Sequence, residues 1–341
     1  MVKRIFVRGP NWVGDVVMAT PILESLRDRF PGAEIHLGLR PYALPLMIGH
    51  PAVDAVHPLP GRGLGGIRQN ARFLRSKQYD LAILLTNSFG SALEAFLARI
   101  PRRRGYVGDG RRLLLTEAVK PLMDDGARLP VPMAKFYFRV IEGLGCVLGE
   151  APYTLTISTA DQEFVDQWLA KRAVRSDSGP IVGLNPGAKF GASKLWAADR
   201  FAALGDRLVR EKGATVILLG GPGEENLLNQ IAQKMNEDCL NSAEEIIPLS
   251  PLKAMVDRLD LLVTNDTGPR SIAQAQGTPA VVLMGPTHPG WTDLHNDQSV
   301  ILRHDVICGP CHKKICDLDH RCMTMIEVDH VFDASISLLS S

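Results

Sequence analysis

Short apolar runs alternate with stretches of helical period along this chain. Lys3 to Val7 is β-rich, and Asp15 to Arg27 places Val16, Met18, Ala19, Ile22, Leu23 and Leu26 near helical spacing. Glu34 to Leu39 alternates as a strand, Ile67 to Lys77 is amphipathic, and Leu81 to Leu85 is a continuous apolar strand. Ser91 to Ala98 and Ala134 to Leu144 read as helices, followed by a linker from Gly145 to Pro152. The scheme then repeats. Helices are expected at Asp161 to Lys171, Ala197 to Lys212 and from Ser271, and strands at Ile181 to Leu184, Ala214 to Leu219, Leu261 to Thr264 and Pro279 to Leu283. Such alternation predicts an α/β protein with parallel sheets and right-handed crossovers. Two series joined by a linker predict two Rossmann-like domains with a cleft between them and ligands at the carboxyl ends of the strands. The expected domains are 1–155 and 156–325, with 326–341 a C-terminal helix or tail packing back on the first domain.

Composition narrows the class. Of 341 residues, 45% are hydrophobic and 22% charged, which supports buried cores and excludes global disorder. No apolar run approaches the roughly 20 residues of a membrane helix. Arg8, Asn11 and Asp15 interrupt the N-terminus before a signal-peptide core forms, so a cytoplasmic protein is expected. The net charge of +1 hides an asymmetry: residues 1–150 carry 21 basic and 13 acidic side chains, and residues 151–341 carry 17 and 24. From Arg62 to Arg112 there are 11 basic residues against Asp80, Glu94 and Asp109. That stretch is either a solvated basic face or a surface for an anionic partner. Aromatic residues do not interleave with its arginines, so no nucleic-acid partner is expected.

Four strand-to-helix loops carry candidate chemistry. In Asn11-Trp12-Val13-Gly14-Asp15, Gly14 permits a tight turn, and Asp15 either serves the helix terminus or acts as a general base aimed into the cleft. The segment lacks GxGxxG, which argues against a dinucleotide dehydrogenase. N-P-G-A-K-F-G-A-S-K-L-W at 185–196 combines Gly187 and Gly191, whose freed backbone can form an anion nest, with Lys189 and Lys194. It is a diphosphate grip or a long connection bearing ordinary lysines. T-N-D-T-G-P-R at 264–270 opens a helix whose N-terminus suits phosphate. Asp266 there would repel phosphate, so it either accepts from sugar hydroxyls or forms an Asx turn. The glutamates of Gly220 to Glu225 hold a ribose or start the next helix. Separately, Cys308, Cys311, Cys316 and Cys322 fall within 15 residues beside His312 and His320. Disulfides are disfavoured in a cytoplasmic chain, so C-x2-C-x4-C-x5-C is a candidate structural zinc site, less readily an iron–sulfur site. Cys146 and Cys239 read as inert core thiols.

In order and spacing these loops resemble the bacterial lipopolysaccharide heptosyltransferases of glycosyltransferase family 9, the heptosyltransferase II branch most. The segments are R-G-P-N-W-V-G-D-V-V-M-A-T-P at 8–21, T-N-S-F-G-S-A-L at 86–93, I-P-R-R-R-G-Y at 100–106, the two loops at 185–196 and 264–270, G-P-T-H-P at 285–289 and H-R-C-M-T at 320–324. The resemblance implies a GT-B fold, its two parallel sheets facing each other across a cleft. It implies inverting transfer from ADP-L-glycero-β-D-manno-heptose to a heptosyl-Kdo-lipid A acceptor at the inner-membrane surface, with no metal in catalysis. The acceptor would sit on domain 1–155 and the donor on 156–325, which agrees with the charge split. Asp15 matches the base, Lys194 a lysine near the donor phosphates, and Asp266, Thr267 and Gly268 the contacts to donor sugar and phosphate. Asn185, Gly187 and Lys189 fall in the donor loop, and Glu224, with Glu225 adjacent, matches a ribose contact. Asn11, Gly14, Arg102, Arg103 and Arg104 fall on the acceptor side. Many relatives have His where this chain has Ser271. The cysteine cluster recurs in only some relatives, which argues against a catalytic role. The rival readings are a GT-B transferase for another nucleotide sugar or acceptor, and a non-catalytic nucleotide-sugar sensor.

Overall fold

A computed structural model describes residues 2–61, 63–149, 153–174, 179–292 and 298–340. Arg62 and residues 150–152 of the expected linker lie outside the described residues. The continuous apolar runs become strands buried on both faces, as parallel sheets require. The chain divides into two units, Met1–Thr156 with Gly290–Thr292, and Ile157–Pro289 with Asp293–Ser341.

The first unit holds β1 (Arg4–Arg8), β2 (Glu34–Leu39), β3 (Ala55–Pro58), β4 (Leu81–Leu84), β5 (Arg102–Tyr106) and β6 (Glu117–Val119). They form one all-parallel sheet in the order β3-β2-β1-β4-β5-β6. A small antiparallel hairpin, β7 (Met123–Asp124) and β8 (Ala127–Arg128), follows. Phe6, Leu59, Leu74, Ala82, Leu84, Ala92 and Ala95 are among the residues of a core on one side of the sheet. The single helix expected from Asp15 to Arg27 is two, Val13–Met18 and Thr20–Arg29. Pro21 has no N–H for the Val17 carbonyl, and the Thr20 hydroxyl takes that acceptor at 2.9 Å.

The second unit repeats the topology. β9 (Ile181–Asn185), β10 (Thr215–Leu218), β11 (Leu240–Asn241), β12 (Leu261–Asn265), β13 (Ala280–Leu283) and β14 (Ser299–Leu302) are parallel in the order β11-β10-β9-β12-β13-β14. Ser158 and Asp161 form a reciprocal capping box at the start of helix Thr159–Ala170, and Gly213 and Gly277 end helices in the left-handed conformation. The C-terminal helix Val328–Leu339 buries Val331 and Phe332 in this unit's core beside Val263, Val281 and Phe201. In each unit the connections reverse direction beside the first strand, between β1 and β4 and between β9 and β12. Ligands of doubly wound sheets bind at that switch point. Among the described residues no helix is long and apolar enough to cross a membrane.

Candidate functional site

The switch point of the second unit gathers most of the expected donor residues. β9 ends at Asn185 and β12 at Asn265, and each side-chain amide laces the two loops together. Asn185 donates to the Thr264 and Thr267 hydroxyls at 3.1 and 3.3 Å. Asn265 donates to the Pro186 carbonyl at 2.7 Å and accepts from the Trp196 amide at 3.3 Å. Between them, Lys194 is buried and its ammonium donates to the Asp266 carboxylate and carbonyl, both at 2.7 Å. Two of its three N–H donors are thereby used.

Asp266 is the hub. Arg270, one helical turn on, donates to Oδ1 at 3.0 Å, and the Thr287 hydroxyl donates to Oδ2 at 2.7 Å. Burial alone would push this carboxyl up. The charges of Lys194 and Arg270 and the hydrogen bonds from Lys194 and Thr287 overcome burial and hold it at about 2. Asp266 is thus ionised at neutral pH and orients two cations. Helix Gly268–Gln276 starts one residue beyond Thr267, with Pro269 in its first turn.

Glu224 lies over Gly187: a Cβ at Gly187 would collide with its carboxylate, and the Gly221 amide donates to that carboxylate at 2.7 Å. Glu225 turns back to its own loop, accepting from the Gly223 amide at 3.1 Å. The glutamate brought to the β9 loop is therefore Glu224. Lys189 is exposed on the same loop.

In the first unit, Asp15 sits in the first turn of helix Val13–Met18, after β1. The Tyr137 hydroxyl donates to Asp15 Oδ1 at 3.1 Å. Burial, and then the charge of Asp15, raise the Tyr137 phenol well above its ordinary range and keep it a donor. Asn11 is exposed beside it; its carbonyl accepts from the Tyr42 hydroxyl. Gly14 is half-buried in the same turn. Arg102, Arg103 and Arg104 lie on β5. Arg102 and Arg104 share Glu117 at 2.6 and 3.1 Å, and Arg103 donates to the Leu114 and Ile100 carbonyls. They tie β5 to β6 while adding positive charge to this face.

Four contributors were not singled out from the sequence. Arg270 and Thr287 stood inside the quoted segments, and the i,i+4 spacing of Asp266 and Arg270 on a helix start was a usable signal. Tyr137 comes from a helix 122 residues from Asp15, and nothing local pairs them. Arg111 is fully buried and donates to the Thr86 and Tyr106 carbonyls at 2.5 and 2.7 Å, fixing the loop after β4. Burial lowers it to about 10, against the opposing pull of Asp109.

The cysteines depart from expectation. Cys308, Cys311, Cys316 and Cys322 line one cavity with His320. Yet among the described residues no group of three or more His, Cys, Asp or Glu side chains is arranged to hold a metal ion. The visible work of this segment is mechanical. Ser193, beside Lys194, donates from its amide and hydroxyl to the Lys314 and Lys313 carbonyls at 3.1 and 2.5 Å, and its carbonyl meets His320 Nε2 at 2.7 Å. Gly191 lets this approach happen, since a Cβ there would strike the Lys314 carbonyl.

Comparison with known proteins identifies the family. The model of glycosyltransferase family 9 (heptosyltransferase) matches residues 67–321. Lipooligosaccharide heptosyltransferase 2 of Haemophilus ducreyi is 31% identical over 314 residues, 88% of each chain. Lipopolysaccharide heptosyltransferase 2 of Escherichia coli K12 is 31% identical over 310 residues, again 88% of each. The solved structure of E. coli ADP-heptose LPS heptosyltransferase II superposes with a TM-score of 0.82 at 27% identity, covering 99% of this chain and 98% of that one. Segments, paired Rossmann-like units and relatives agree: the chain is a glycosyltransferase of GT-B fold and belongs to glycosyltransferase family 9, the heptosyltransferases.

Proposed function

We propose that this protein transfers heptose from ADP-heptose to the inner core of lipopolysaccharide with inversion at the anomeric carbon. Its place of action is the cytoplasm and the inner face of the cytoplasmic membrane. The observation that carries the reading is the buried Lys194–Asp266 pair at the switch point of β9 and β12, in a chain about 30% identical to heptosyltransferases 2 over most of its length. Asp266 holds the ammonium in place, and the remaining N–H donor of Lys194 serves the donor's phosphates. Exposed Lys189 and the N-terminus of helix Gly268–Gln276 add to that cradle. Glu224, over Gly187, takes the ribose hydroxyls.

The acceptor hydroxyl attacks the anomeric carbon from the face opposite ADP. Its proton passes to the Asp15 carboxylate, which the Tyr137 hydroxyl orients. The bond from the anomeric carbon to the phosphate oxygen breaks, and its electron pair leaves with ADP. Negative charge grows on the β-phosphate, where Lys194 stabilises it. The reaction requires the Asp15 carboxylate to reach the acceptor hydroxyl while the second unit holds the donor. No cofactor enters any step. Asn11 and Gly14 shape the acceptor side, and the basic surface that includes Arg102, Arg103 and Arg104 draws an acceptor rich in carboxylates and phosphates.

The test is direct. Purified protein, ADP-heptose and Kdo-lipid A core acceptors are mixed, and ADP release is followed together with the acceptor mass. One added heptose per ADP is expected. ADP without a mass gain, or turnover with UDP- or GDP-sugars alone, would overturn the reading.

A further inference from the structure

Helix Phe89–Leu97 is inverted relative to an ordinary amphipathic helix. It buries Ser91, Ala92, Glu94 and Ala95 and leaves Phe89, Phe96 and Leu97 45%, 44% and 39% exposed. A surface helix normally turns its large apolar side chains inward. Neighbouring helix Gly63–Ser76 buries Asn70, Ala71 and Leu74 and presents Leu64, Arg68, Arg72 and Arg75, at intervals of four, four and three residues, along one exposed stripe. Arg103 ties helix Phe89–Leu97 to the turn at Leu114. Its guanidinium lies 5.4 Å from the Phe96 ring centroid and donates to the Leu114 carbonyl at 2.7 Å. That brings Leu113, 89% exposed, into the neighbourhood of Phe96. Exposed Arg99 and Arg112 flank the apolar side chains. Two of the three acidic side chains of residues 62–112 are withdrawn, since Glu94 is buried and Asp80 is engaged by the Lys3 and Arg4 amides at 2.7 and 2.9 Å, and the exposed Asp109 is outnumbered by the arginines around it.

We infer that this face of the first unit docks on an anionic lipid bilayer, with Phe96, Leu97 and Leu113 entering the acyl boundary and the arginine stripe lying on headgroup phosphates. The inference deepens the proposed function in one respect, since an acceptor anchored by lipid A is met at a bilayer. Charge selects the occupant. A second copy of this chain would bring one arginine rim against another, which is repulsive. An anionic bilayer accepts the cations at its surface and the apolar side chains just below it. Phe89 extends the apolar stripe to the loop after β4 that Arg111 fixes, so the surface is continuous with the proposed acceptor side.

The full chain is floated with vesicles of phosphatidylcholine alone and with one-third phosphatidylglycerol. Binding to the anionic vesicles only, weakening with salt, is expected. L97D/L113D, and Leu113→Asp alone as the variant least able to disturb folding, are each expected to lower binding about tenfold. Both should transfer heptose to a water-soluble acceptor fragment at the wild-type rate. R72Q/R75Q is expected to bind less and to lose much of the salt dependence. Wild-type protein that ignores anionic vesicles, or an L97D/L113D variant that binds them undiminished, would overturn the inference. So would sedimentation showing that the substitutions dissolve a dimer without changing vesicle binding. Transfer to the soluble fragment is scored separately, so failure of the proposed function is distinguishable from failure of the docking surface.

Discussion

At the scale of single residues, the proposed donor site rests on one carboxylate holding two cations. In the proposed mechanism Lys194 stabilises the leaving phosphate, so Lys194→Ala is expected to lower kcat about 10²–10³-fold. Asp266→Asn leaves Lys194 and Arg270 without the charge that orients them. It should raise the KM for ADP-heptose and also reduce thermal stability, because a buried ion pair is broken rather than replaced. Tyr137→Phe removes one hydrogen bond to Asp15. A drop in kcat of about tenfold to a hundredfold is expected, at unchanged donor KM, the size of a single hydrogen bond to a charged group. Steady-state kinetics in both substrates and a melting curve check all three. The segments containing Lys194, Asp266 and Asp15 were legible because a glycine-rich turn and a helix start leave a local mark. Tyr137 was not, because its relation to Asp15 exists only once the sheet has brought Met133–Glu142 to the first helix.

At the scale of elements, the crossing of the chain at Thr154 contains a pH-dependent tie. The Ala52 amide donates to His50 Nδ1 at 3.3 Å, so the neutral ring carries its proton on Nε2, 2.9 Å from the Thr154 hydroxyl. That hydroxyl donates to Glu24 at 2.6 Å. Burial lowers His50 to about 4. His57 also falls to about 4, through burial and then the neighbouring charges of His36 and Lys77. A histidine lowered from 6.5 stabilises the fold fully above that value and loses the contribution as pH falls toward 4. The melting temperature is therefore expected to decline between pH 6.5 and 4, and His50→Gln should flatten part of the decline. An unchanged slope in that variant would remove His50 from the explanation. Elements with strong period or continuous apolar runs were legible, Leu81–Leu84 and Leu261–Asn265 above all. Short edge strands such as Glu117–Val119 and Leu240–Asn241 were not, because two or three residues carry no period and pairing with a neighbour defines them. The break at Ala19 was foreshadowed by Pro21 yet masked by the unbroken apolar spacing around it.

At the scale of the whole molecule, the chain repeats one topology in two units, and opposite net charges mark the division in the sequence. The cysteine spacing shows where such legibility ends: the four cysteines do come to one cavity, but among the described residues they form no metal-holding group, and the bracing of Ser193 by the same loop leaves no mark in the spacing. Thermal shift belongs to this scale as well. ADP should raise the melting temperature more than UDP or GDP, and Glu224→Ala should shrink that rise by weakening the ribose contact. Equal shifts from all three nucleotides would leave the adenine unread, and an undiminished rise in the Glu224 variant would leave the ribose unread. The central claim is that a carboxylate of the first unit activates the acceptor hydroxyl toward a sugar held by the second, and Asp15→Asn measures it most directly. Donor affinity, read as ADP-heptose binding, should stay within about twofold of wild type, while the rate of ADP release with acceptor present falls at least about 10²-fold. A variant that binds the donor and still transfers heptose at near the wild-type rate would contradict the account.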